Sequence, residues 1–84
     1  MLVAGQIRAA RALLRWSAQK LADESGVSWT TIQRIEASDG VPAARAKSLV
    51  AIQEALEEAG IIFINEDEEG PGVRLSKGRL KKLN

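Results

Sequence analysis

The 84-residue chain has no cysteine and no histidine. Their absence excludes a disulfide framework, a Cys/His zinc site, thiol chemistry and imidazole acid–base catalysis. A glycine-rich phosphate loop is missing too, and no nucleophile–base constellation stands out. No apolar run approaches the length of a membrane span. The opening MLVAGQIRAAR is too interrupted for a signal peptide. A cytoplasmic protein is the expectation, with no membrane, metal, cofactor or small-molecule substrate.

What is present is an ordinary globular balance, 45% hydrophobic and 27% charged. The length suits one domain with a modest core, a size that often leans on a partner subunit. Net charge is only +1 but is unevenly placed. Residues 1–53 carry seven Lys/Arg against four Asp/Glu. Residues 54–73 carry seven acids and no base, and residues 74–84 five bases and no acid. Such segregation suits a protein whose N-terminal part faces a polyanion while the acidic block faces away. The acids Glu66, Asp67, Glu68 and Glu69 sit beside Gly70-Pro71-Gly72. They read as a solvated loop, and a hydrolase built on them is improbable.

Apolar residues recur with helical period at Val3, Ile7, Ala10 and Leu14. Ser17 has the chemistry to cap a second helix, about 18–25, which buries Leu21 and Ala22. Gly26 closes it. Ser28 caps a third helix, about 29–37, with Ile32 and Ile35 inward. Ser38-Asp39-Gly40 and Pro42 break the pattern. A fourth helix, about 45–59, turns Leu49, Ile52, Leu56 and Ala59 inward before Gly60. Then Ile61–Ile64 and Val73–Leu75 have strand character and are expected to pair as a hairpin.

Residues 18–37, AQKLADESGVSWTTIQRIEA, contain two short helices joined by a tight turn. Ala22 is small where the helices approach, and Gly26 permits positive φ. Leu21, Val27, Ile32 and Ile35 form the shared interior. This arrangement projects the second helix from the body, where it fits a DNA major groove. With Ile32 and Ile35 inward, Thr30, Gln33, Arg34 and Ala37 point outward and Trp29 lies on the flank. Candidate base readers are Trp29, Thr30, Gln33 and Arg34. Gln33 suits an adenine edge and Arg34 a guanine or a phosphate. Trp29 has a large apolar face, which either meets a thymine methyl or packs on the first helix or a partner. Candidate phosphate contacts are Arg8, Arg15, Gln19, Lys20, Ser28 and Thr31.

The stretch Leu14 to Glu36, LRWSAQKLADESGVSWTTIQRIE, resembles the Cro/repressor-type, or xenobiotic-response-element, helix-turn-helix regulators. With its flanking helices the resemblance covers about residues 3–60. It implies a mainly α fold, a four-helix lambda-repressor-like helix-turn-helix domain, here with a short C-terminal β-hairpin or strand extension. It also implies a structural ion pair between Arg11 and Glu36, and double-stranded DNA as partner. The likeness breaks at Ala18, where such regulators usually carry a glutamine that braces the DNA backbone. Gln19 follows one position later, about 100° around the helix.

The expected organisation is a DNA-binding domain over 1–60, with its motif at 18–37, a hairpin extension over 61–76 and a flexible basic tail over 77–84. An isolated hairpin is marginal in water. Ile62, Phe63, Ile64, Val73 and Leu75 therefore either fold back on the fourth helix or pair with a second copy. A homodimer on a palindromic operator is the expected form. The expected function is a small transcriptional repressor. The alternative is a protein-interaction module on the same fold, antitoxin-like or an antiactivator component.

Overall fold

A computed structural model describes residues 2–40 and 42–79. The order is α1 (Ala4–Leu14), α2 (Ala18–Ser25), α3 (Trp29–Glu36), α4 (Ala46–Glu58), β1 (Ile61–Ile64) and β2 (Gly72–Leu75). Local chemistry sets both ends of α2, the start of α3 and the end of α1. The Ser17 hydroxyl accepts from the Lys20 amide at 3.0 Å and starts α2. Gly26 ends it at φ 77°, in the left-handed region where a side chain is strained. The Ser28 hydroxyl accepts from the Thr31 amide at 3.2 Å and starts α3. Arg15, the one non-glycine at positive φ among the described residues, closes α1 at φ 60°.

The core lies where the four helices meet. Ile7, Leu21, Ile32, Ile35, Ile52 and Leu56 are its largest fully buried side chains. They come from all four helices, with α3 packed on α1 and α2, and α2 packed on α4. Val3, expected on the buried stripe of the first helix, stands at its N-cap and is half-buried. The stripe proper is Ala4, Ile7, Ala10 and Leu14.

β1 and β2 pair antiparallel, with Ile61 opposite Leu75, Ile62 opposite Arg74, Phe63 opposite Val73 and Ile64 opposite Gly72. The hairpin folds back within the chain, β2 on α1 and β1 on α4. Ile61 is buried, and Phe63, Val73 and Leu75 pack against the helical core. The Gln6 amide fastens the open end of the loop, donating to the carbonyls of Ile64 at 3.1 Å and Gly72 at 3.0 Å. Its Oε1 accepts from the Val3 amide at 2.9 Å.

Ile62 is exposed, Ile64 is half-buried, and Phe63, Val73 and Leu75 are half-buried and pack against the helical core of their own chain. The surface that covers them includes α1 as well as α4. At the start of the tail expected over 77–84, residues 77–79 are helical and Arg79 lies against Gly60. The remainder of that tail, from Leu80 on, lies outside the described residues.

Candidate nucleic-acid interface

The position of α3 is set from its inner side. Ile32 and Ile35 are buried in the core. Glu36, on the same helix, is only 7% exposed and would be costly to bury alone. Arg11 of α1 meets it in a two-pronged pair, Nη2 to Oε1 at 2.6 Å and Nε to Oε2 at 2.8 Å. The fork geometry matches the carboxylate and fixes direction as well as distance. Hydrogen bonding to Glu36 raises the Arg11 pKa above its ordinary value, burial opposes the rise, and the carboxylate charge adds to it. Arg11 Nη1 also donates to the Trp16 carbonyl at 3.0 Å, which ties in the turn before α2.

Arg8, a candidate phosphate contact, is exposed and reaches α3. Its Nη1 donates to the Glu36 carbonyl at the end of α3. A cation there satisfies an orphan carbonyl and complements the negative helix end. The amide of Ala4 donates to the Gly40 carbonyl at 2.8 Å, so the turn after α3 is also held to α1. α1 thus holds the end of α3 through Arg11 and Arg8, both at Glu36, and the turn beyond it through Ala4.

The outer side of α3 is left open. Trp29, Thr30, Gln33, Arg34 and Ala37 are all exposed, and Thr31 is half-buried. The Ser28 hydroxyl donates to the Thr31 hydroxyl at 2.9 Å while capping the helix. Arg15 and Lys20 are exposed. Lys20 lies over the Trp16 ring, 5.8 Å from its centre, and 3.8 Å from Glu24. Ala18 is buried, and the Gln19 amide donates to Asp23 at 2.9 Å. The start of α2 therefore presents no long polar side chain at Ala18, and Gln19 is engaged one turn along its own helix.

The structure adds residues that sequence patterning did not single out. A cleft between α3 and α4 is lined by Thr31, Arg34, Ala44, Arg45 and Ser48. A neighbouring one brings Ser25, Gly26, Val27 and Ser28 to Lys47, Ser48 and Ala51. The start of α4 thus supplies Arg45, Lys47 and a hydroxyl beside α3. A signal for them was available in the sequence. Cations at a helix start oppose the helix dipole, and α4 has no acid in its first turn. An anion there would relieve that conflict.

Among the described residues, no group of three His, Cys, Asp or Glu side chains is placed to hold a metal ion. No helix there is long and apolar enough to cross a membrane.

A buried helix pair crossing at a glycine turn, with the second helix locked inside and open outside, defines a helix-turn-helix DNA-binding unit. A family model described as helix-turn-helix matches residues 7–60, nearly two thirds of the chain. The chain belongs to this family of Cro/repressor-type, DNA-binding transcription regulators. The family is a regulatory domain rather than an enzymatic one. No curated protein matches the chain.

Proposed function

We propose that the protein is a sequence-specific regulator of transcription, most simply a repressor, acting as a homodimer on a palindromic operator in the cytoplasm. α3 enters the major groove with Trp29, Thr30, Gln33 and Arg34 toward the bases. Ser28, Thr31, Arg45, Lys47 and Ser48, with Arg15 and Lys20, approach the phosphates. The observation that carries this reading is the division of α3. Its inner side is fixed by Ile32, Ile35 and the Glu36–Arg11 pair, while every candidate base reader is exposed. A rigidly held helix with an open polar face is what base readout requires.

The dimer has support from dimensions. The chain extends 34 Å along its longer axes. Half-sites one turn apart are about 34 Å centre to centre. Two copies on one operator would therefore meet at their edges. On the hairpin, Ile62 is the exposed apolar group left for such a contact.

Selection from random duplex DNA tests the proposal. The expected product is one palindromic site with half-sites about one turn apart. Replacing Gln33 and Arg34 together with alanine should relax base choice. Arg45→Ala should weaken all sequences alike and reduce the salt slope by about 1. Only salt-labile, sequence-blind binding would refute the regulator. It would favour a protein-interaction module, a reading supported by the buried Ala18 and the Gln19–Asp23 bond, which leave α2 without the backbone brace.

A further inference from the structure

The two tryptophans of the chain have opposite environments. Trp16 packs against the hydrophobic core and has Lys20 over its ring. Trp29 is 49% exposed and belongs to neither arrangement. It is the first residue of α3. Gln33 is one turn further along the same side and Thr30 is adjacent, and both are exposed. A half-exposed indole on a polar helix face leaves a large apolar surface open to solvent.

We infer that Trp29 reads a C5-methyl group in the major groove, so that each half-site carries a methylated pyrimidine at one fixed position. The inference rests on the DNA-binding reading above. Its physical basis is the short inventory of the groove. Base edges there present donors and acceptors, and the apolar group among them is the methyl of thymine. Indole carbon atoms cannot satisfy a donor or acceptor, and placing them against one costs the base its hydration. Against a methyl, both surfaces leave water. Four residues separate Trp29 from Gln33, about 6 Å along the helix. That span corresponds to roughly two base-pair steps of about 3.4 Å. The methyl therefore falls within about two pairs of the base that Gln33 contacts. 5-Methylcytosine offers the same group, and the test separates the two sources.

The experiment uses the full chain and the site obtained by selection. Each thymine of a half-site is replaced singly by uracil, which removes only the methyl. Cytosine and 5-methylcytosine are then compared at the responsive position. One uracil per half-site should weaken wild-type binding about fourfold, the worth of one buried methyl. Trp29→Ala should bind thymine and uracil sites equally, and Trp29→Phe should keep the preference. Circular dichroism of both variants checks that α3 is intact. A thymine-over-uracil preference assigns thymine as the source; a gain from 5-methylcytosine over cytosine alone assigns that base instead. If no methyl at any position alters binding, or if Trp29→Ala keeps the wild-type preference, the inference is overturned while the regulator stands. If selection returns no preferred site, the regulator reading falls first and this inference with it.

Discussion

The helical unit and the hairpin are held together differently. All six of the largest fully buried side chains lie on helices. The hairpin adds one well-buried residue, Ile61, and otherwise rests half-buried groups on α1 and α4. Its far end is fastened by a single polar side chain, Gln6. The helical unit is therefore a packed interior, and the hairpin a cover attached to it. A cover of this kind should open locally at lower free energy than the unit beneath it.

The sharpest way to break this comparison is to make a cavity on each side. Ile32→Ala removes a buried branch beneath the recognition helix. We expect a loss of about 3–4 kcal/mol, read from urea unfolding. That is a large share of a small domain's stability, and DNA binding should fall with it. If Phe63→Ala on the hairpin cost as much, the two regions would be one cooperative unit.

The next largest effect concerns the brace. Arg11→Ala leaves the Glu36 carboxylate buried without its partner. We expect about 3 kcal/mol, near the lower end for a buried pair because Arg11 keeps some solvent contact. Replacing both residues with methionine should recover much of it, since desolvation and attraction are then lost together. A thermal-unfolding cycle of the single and double variants checks this. Simple additivity of the two single losses would show that the pair does not act as a unit.

Much of the helical unit was legible in the sequence because its signals are local. Serine caps, Gly26 and the spacing of apolar residues mark α2 at the residues observed and α3 within one residue of its end. The exposed face of α3 followed from the same helical period. The cover was less legible. Its strands were visible in IIFI and GVRL, but what they pack on was not. Gln6 looks like a solvated position on an amphipathic helix, yet it is buried and bonds to residues 58 and 66 positions away. Arg8 is exposed as the helical period predicts, but its bond across to α3 was not visible. A helical wheel contains no information about the carbonyl of Glu36 on another helix. Arg45 and Lys47 escaped because their place beside α3 depends on how the turn after α3 folds α4 back.

Gln6 gives a smaller and more local prediction. Gln6→Ala leaves two loop-end carbonyls without their donor. We expect about 1–2 kcal/mol. Hydrogen exchange should show faster amides in β1 and β2, with α2 and α3 little changed. Equal acceleration throughout would mean that the hairpin does not open on its own.

The smallest effect on stability should separate the two sides of one strand. Ile62 is 46% exposed while its neighbour Ile61 is 3% exposed. Ile62→Ser should change stability by no more than about 0.5 kcal/mol, as surface substitutions do. Ile61→Ser should cost about 2 kcal/mol or more, because it places a hydroxyl in an apolar site. Self-association should follow the opposite order. If the dimer forms at this edge, Ile62→Ser shifts sedimentation toward monomer without loosening the fold. Operator binding should then need more protein, because each half-site is engaged separately. A dimer unchanged by Ile62→Ser would move the contact away from the hairpin and leave β1 as a cover alone.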